Sequence, residues 1–208
     1  MAKCDWGTSN PLMIRYHDEE WGVPVHDDRK QFEYLCLEVM QCGLSWSLMI
    51  AKRAILRVCF ENFDFEKIAA YGDKEVTRIL ETPGMIRSRR KILAIIQNAR
   101  CFLKIREEFG SFSSYLWAYT DNKTIIYDHH PEGFIPATNA LSEKISRDLR
   151  HRGFKYLGGV TVYAHLQAAG LILDHGSECP CYQDIIAHYP VVYKKRYHER
   201  GVQFFGAH

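Results

Sequence analysis

In stretch after stretch between residues 28 and 170, joined by short turns and one loop, the apolar residues return at helical spacing, and this period leaves little room for any fold but a helical one. The clearest stripe is Ile92, Ile95, Ile96, Ala99, Phe102 and Leu103, which predicts a long helix to about Phe109. Phe32, Leu35, Cys36, Val39 and Met40 repeat the pattern, as do Val76, Ile79 and Leu80, and then Leu141, Ile145 and Leu149. Asp27 or Asp28 caps the first of these helices, Asp64 and Asp73 open two short ones, and Thr138 or Asn139 caps another. A second helix is expected over about 47–60 and a short one over 111–119, while Gly72, Pro83-Gly84, Gly153 and Gly170 mark stops. The predicted fold is therefore all-α, with one domain over residues 1–181, built as a single unit or as two interleaved helical lobes. Residues 1–27, rich in aromatics and turns, read as an ordered wrapping segment with little regular structure. Residues 121–136 read as a loop with Asp128-His129-His130-Pro131-Glu132-Gly133 at its tip, and 182–208 as a tail of unassigned role.

Composition excludes several classes. In 208 residues, 47% hydrophobic and 25% charged describe an ordinary globular protein, and no apolar run approaches a membrane span. The N-terminus, Met1-Ala2-Lys3-Cys4-Asp5-Trp6, has no hydrophobic signal core, and seven cysteines fit reduced thiols, so a cytoplasmic protein is expected. A net charge of +2 says little by itself. Between Thr82 and Arg106, however, Arg87, Arg89, Arg90, Lys91, Arg100, Lys104 and Arg106 occur without one acidic residue, a local field suited to a polyanion or to a solvated helix face.

The densest chemistry lies between Leu35 and Trp46. Glu38 falls inside an apolar helical run, where an unpaired carboxylate is costly to bury, so it faces outward or is needed there by something in the folded protein or by a ligand. Gly43 ends that helix, Leu44 follows with no evident core partner, and Ser45 or Ser47 caps the next helix, which begins near Trp46. A second feature is Gly153-Phe154-Lys155-Tyr156-Leu157-Gly158-Gly159-Val160-Thr161 between two helices. Free amides at a helix N-terminus, with glycines that allow close approach, make Gly158, Gly159 and Thr161 candidates for seating a phosphate. A third is the set Cys4, His17, His175 and Cys179. Two thiolates and two imidazoles suit a closed tetrahedral zinc site that would clamp the two ends of the chain, and Cys181 competes for the fourth place.

Taken in order, Cys4-x-Trp6, Tyr16-His17-Asp18-x-Glu20-Trp21-Gly22-Val23-Pro24, Glu38 with Gly43-Leu44-Ser45-Trp46, Arg87-x-Arg89-x-Lys91-Ile92, Gly153-Phe154-Lys155 and Asp174-His175 with Cys179 form a specific set. Over about residues 3 to 181 the chain closely resembles the bacterial 3-methyladenine DNA glycosylase I family. The resemblance implies a helix-hairpin-helix glycosylase fold and a structural Zn2+ on Cys4, His17, His175 and Cys179. It further implies a base pocket of Glu38, Tyr16 and Trp46, with Trp6 and Trp21 close by. Two positions depart from the family pattern near that pocket: Met13 replaces an aromatic and Val39 a small residue.

These residues suit that chemistry. An adenine methylated at N3 is cationic and its glycosidic bond is already weak, so the enzyme must flip it out and hold a flat cation. Indole and phenol faces attract such a ring by about 0.5–2 kcal/mol each, and Glu38 would recognise the base and assist hydrolysis. Leu44, with Gln41 beside it, would wedge into the gap left in the duplex. Asp174 is a minor candidate for the catalytic carboxylate. The expected partner is double-stranded alkylated DNA, bound by a monomer that needs no membrane and no nucleotide cofactor. The rival readings are a non-catalytic alkylated-DNA-binding or damage-sensing module on the same scaffold and, more distantly, a zinc hydrolase.

Overall fold

Asn10 and Pro11 open the first helix. In a computed structural model, which describes residues 4–8, 10–127 and 135–195, α1 runs over Pro11–Glu19, with the Asn10 side chain accepting from the Met13 amide at 3.0 Å. The wrapping segment is thus more regular than its aromatic content suggests. An N-cap asparagine followed by proline at the first helical position is the local signal for that helix.

The periodic stretches fold as expected. They form α2 (Asp28–Gln41), α3 (Trp46–Cys59), α4 (Phe65–Ala69), α5 (Asp73–Glu81), α6 (Arg89–Phe109), α7 (Phe112–Trp117), α8 (Ala140–His151) and α9 (Gly159–Ala168). Asp27 is the cap of α2, accepting from the Lys30 amide at 2.7 Å, and Ser45 is the cap of α3. The apolar stripe of α6 packs on α2, α4, α5 and α7, while α2 also meets α3 and α9. Phe102 of α6 stacks on Phe112 of α7 at 4.3 Å and meets Phe32 of α2 edge-on at 5.2 Å. From Gln31 to Met40 every residue of α2 is buried, so this helix runs through the middle of the protein. That placement decides the environment of Glu38.

Two elements depart from the all-α expectation. Thr124–Tyr127, predicted as loop, is strand β1, and Val191–Lys194 is strand β2. The two pair in parallel with Thr124 opposite Val191 and Tyr127 opposite Lys194. β-Branched and aromatic residues in both runs suit a strand, but pairing partners so far apart in sequence are not visible locally. Between them α10 (Pro180–His188) crosses the boundary drawn at residue 181, and its Ile185 packs with Ile126 and Leu173. The mostly helical protein therefore carries a small parallel sheet at its C-terminal edge. The loop tip Asp128–Gly133 and the end of the tail lie outside the described residues.

Candidate active site

Glu38 is 3% exposed, and no described residue donates a hydrogen bond to its carboxylate. Burial alone pushes its carboxyl up to about 8. The sequence left open whether this side chain turns outward; it turns inward. The Tyr16 ring, 2% exposed, lies 5.4 Å from the Trp46 ring at 54° and 6.4 Å from the Trp6 ring at 56°. Burial raises the Tyr16 phenol well above its ordinary value, and Glu38 is among the nearby acidic groups that add to this. Tyr16 thus lies near both Glu38 and Trp46. Met13 and Val39 are buried in the same core.

Trp6 and Trp21 belong mainly to the second site. Their rings meet edge-on at 4.7 Å, and Trp21 lies 4.5 Å from the His175 ring. Cys4, His17, His175 and Cys179 bring their ligand atoms within 4.8 Å of one another and can hold a metal ion. Cys4 Sγ is 3.6 Å from His175 Nδ1, Cys179 Sγ is 3.6 Å from the same nitrogen, and Cys179 Sγ is 3.7 Å from His17 Nε2. The other nitrogen of each ring is engaged: His175 Nε2 donates to the Trp21 carbonyl at 2.8 Å, and His17 Nδ1 lies 2.8 Å from Asp18 Oδ1. Such outer partners fix ring orientation and leave the inner nitrogens free to ligate. Cys181, the competing thiol, lies 4.0 Å from His17 Nδ1, the nitrogen that faces Asp18, whereas Cys179 lies against Nε2.

The loop between α2 and α3 is tightly braced. Gly43 has φ of +79°, a conformation that favours glycine, and lets the chain turn back so that the Leu44 amide donates to the Gln41 carbonyl at 2.6 Å. Gln41, expected as a companion wedge, uses its side-chain amide on the Leu44 carbonyl at 2.9 Å. Leu44 itself is half-buried against the core. Across from it, Thr161 Oγ1 sits 4.0 Å from Cys42 Sγ, so the N-terminus of α9 adjoins this loop.

Between α8 and α9 the chain makes a short hairpin. Phe154 and Leu157 anchor it in the core, and Asn98 of α6 holds Lys155 by both its amide and its carbonyl. Tyr156 is 40% exposed with φ of +63°, a left-handed conformation rare for an aromatic residue. A Cβ on Gly159 would collide with the Glu143 carboxylate of α8, which in turn accepts from Thr138 Oγ1 at 3.0 Å.

Of the basic run, Arg89 pairs with Asp73 at 2.7 Å, and Arg87 and Arg90 are exposed. Lys91 turns inward and donates to the carbonyls of Met40 at 2.7 Å and Cys42 at 2.6 Å. Its phase in α6 gave a clue, since Ile95 one turn later belongs to the buried stripe. A second feature was missed altogether. Glu20 receives Arg53 through two bonds of 2.7 and 2.8 Å and Lys30 at 2.6 Å, while Glu33 receives Arg53 at 2.7 Å and Arg57 at 3.0 Å. This network ties the end of α1 to α2 and α3, the elements that carry Tyr16, Glu38 and Trp46. Asp174 is held by Tyr163 at 2.6 Å and Gln167 at 2.8 Å, inside the protein.

Fold and site together define a mostly helical protein with a buried carboxylate, Glu38, near the Tyr16 phenol and a Cys/His cluster that links α1 to the segment before α10. The profile of the family described as methyladenine glycosylase matches residues 6–182. DNA-3-methyladenine glycosylase 1 of Escherichia coli (strain K12) is 40% identical over 182 residues, 88% of this chain and 97% of that protein. A crystal structure of 3-methyladenine DNA glycosylase I aligns with a TM-score of 0.82 at 42% identity, covering 87% of this chain and all of that one. A variant of 3-methyladenine DNA glycosylase I in complex with 3-methyladenine aligns with a TM-score of 0.82 at 35% identity, covering 88% and 98%. The chain belongs to the methyladenine glycosylase family.

Proposed function

We propose that this protein is a DNA-repair glycosylase that flips N3-methyladenine out of alkylated double-stranded DNA and hydrolyses its N-glycosidic bond. The observation that carries this is the buried Glu38 carboxylate, without a donor among the described residues, near the Tyr16 phenol, whose ring in turn meets that of Trp46. Burial holds the Glu38 carboxyl at about 8, so it is largely neutral in the free protein at pH 7, and a flat cation stacked on the Tyr16 ring favours its ionised form. Normal adenine, being neutral, does not. Discrimination thus follows from electrostatics as well as shape.

In the reaction the bond from C1′ to the base breaks with its electron pair moving onto the purine, which neutralises it. Water adds to C1′ and its proton passes to solvent. Glu38 recognises the base, positions that water and stabilises the positive character that builds on the sugar. Asp174 takes no part, its carboxylate being held by Tyr163 and Gln167. Leu44 fills the gap left in the duplex. The α8–α9 pair acts as a helix-hairpin-helix element, in which Gly158, Gly159 and Thr161 seat a backbone phosphate at the N-terminus of α9. The contact between Thr161 and Cys42 supports this, since it sets the phosphate seat beside the wedge loop.

Cys4, His17, His175 and Cys179 hold Zn2+ in this proposal. Bonds of about 2.3 Å to sulfur and about 2.0–2.1 Å to nitrogen at tetrahedral angles set S···N separations of about 3.6 Å, and those here are 3.6, 3.6 and 3.7 Å. With four protein ligands the ion staples α1 to the C-terminal segment and leaves no place for a reacting water. In this reading the unit is a monomer that uses no nucleotide cofactor. All seven cysteines are free thiols, which suits the cytoplasm, and among the described residues no helix is long and apolar enough to cross a membrane.

The test is incubation with methylated duplex DNA followed by chromatography of released bases. Free 3-methyladenine is expected. Absence of base release, or undiminished release by Glu38→Gln, overturns the proposal.

A further inference from the structure

Lys91 is an unusual place for a cation. Its side chain is only 9% exposed, burial lowers its pKa, and among the described residues no carboxylate pairs with it. It is the third residue of α6, after Arg89 and Arg90, in a first turn without an acidic residue. Positive charge there opposes the helix dipole, and the capping position, Ser88, makes no side-chain cap bond. Neither local electrostatics nor solvation accounts for a lysine at this point.

Its hydrogen bonds do. The ammonium donates to the carbonyls of Met40 and Cys42, which lie at the end of α2 and at its C-cap. Such terminal carbonyls have no partner within their own helix. Here the chain leaves α2 at Cys42 in an extended conformation, φ −43° and ψ 112°, before Gly43 turns it back. Glu38 stands less than one turn upstream of this clamp, Leu44 two residues downstream, and Trp46 begins α3. One buried ammonium therefore fixes the exit of the helix bearing the carboxylate and the entry to the loop bearing the wedge.

We propose that Lys91 is a positioning residue: by clamping Met40 and Cys42 it holds the Leu44 loop in the shape that opens the duplex. This rests on the glycosylase function proposed above. Lys91 is then not a phosphate ligand like an exposed member of a basic run, and acts through the loop without touching the base.

The experiment compares wild type with Lys91→Met, which keeps the apolar stem and removes the donors, and with Lys91→Gln, which keeps one neutral donor and serves if Lys91→Met does not fold. Three quantities are read: hydrogen exchange of the peptide spanning Gly43–Ser45, single-turnover base release from methylated duplex, and binding of free 3-methyladenine by indole fluorescence. Lys91→Met is expected to speed exchange in that peptide alone by about tenfold and to slow release by about tenfold. Affinity for the free base stays within about twofold, because Glu38, Tyr16 and Trp46 are untouched. Lys91→Gln falls between. Unchanged loop exchange, unchanged release, or a loss of free-base affinity that matches the loss of release overturns the clamp. Wild-type protein that releases no base overturns the glycosylase function instead, so the two failures are distinguishable.

Discussion

Cys4 Sγ stands 3.6 Å from His175 Nδ1, although 171 residues separate the two. That contact, with Cys179 and His17 completing the set, joins the start of the chain to the segment that leads into α10. Removing the ion is therefore expected to lower the melting temperature before it alters chemistry, because the ligand set exists only in the folded chain. Calorimetry with and without chelator, beside metal analysis, checks this. About one zinc per chain and a melting temperature lower by about 10 °C or more are expected. Activity lost on chelation with an unchanged melting temperature would contradict a structural role.

Glu38 gives the free protein a distinctive pH dependence. Its carboxyl stands at about 8 when folded, against an ordinary 4.5. A group raised in this way contributes stability that is fully present below 4.5 and is lost as pH rises through about 8. Glu38→Gln carries no such slope. At pH 9 the variant should exceed wild type in stability by on the order of 5 kcal/mol, while releasing base at least about a hundredfold more slowly. Urea titrations at acid, neutral and alkaline pH decide the first point, and parallel stability curves for the two proteins would refute it.

Arg53 should be the most sensitive surface-proximal cation. Burial pushes the Glu20 carboxyl up, and the hydrogen bonds from Arg53 and Lys30 more than offset this, holding it at about 2. Stability from this lowered group is present above 4.5 and is lost as pH falls toward about 2. Arg53→Met leaves Glu20 and Glu33 short of their shared partner and is expected to cost roughly 3 kcal/mol. Chemical denaturation at neutral pH measures it; a change below about 0.5 kcal/mol means the network adds nothing.

Glu143 offers a gain of affinity. Its carboxylate lies against Gly159, at the helix end proposed to receive a phosphate. Glu143→Ala removes a like charge from that place, so duplex affinity should rise by roughly threefold at low salt and the advantage should shrink as salt increases. Fluorescence anisotropy with a labelled duplex reads both effects. Weaker binding by the variant would show that Glu143 serves the phosphate seat by shaping the hairpin.

Much of the scaffold was legible in the chain. The stripe from Ile92 to Phe102 predicted α6, and the glycines and capping residues marked nearly every joint, because helical period and caps are local properties. Within the candidate site, Glu38, Tyr16 and Trp46 were identifiable by kind, as were the four side chains that could hold a metal. Other features were legible only in retrospect. Asn10-Pro11 marked α1, yet the surrounding Trp6, Tyr16 and Trp21 suggested an irregular wrap. Thr124–Tyr127 had the composition of a strand, but its partner, Val191–Lys194, lies across three intervening helices.

By itself the sequence determined which segments are helical, which residues are candidates for base recognition and metal binding, and where the loop with Leu44 falls. Only the tertiary structure decided that Glu38 is buried with no donor among the described residues, that Arg53 serves both Glu20 and Glu33, and that Lys91 clamps α2 and does not face solvent. The reason is physical. Helical period is set by neighbours a turn apart, whereas the protonation and partners of a charged group depend on which distant surfaces pack against it and exclude water.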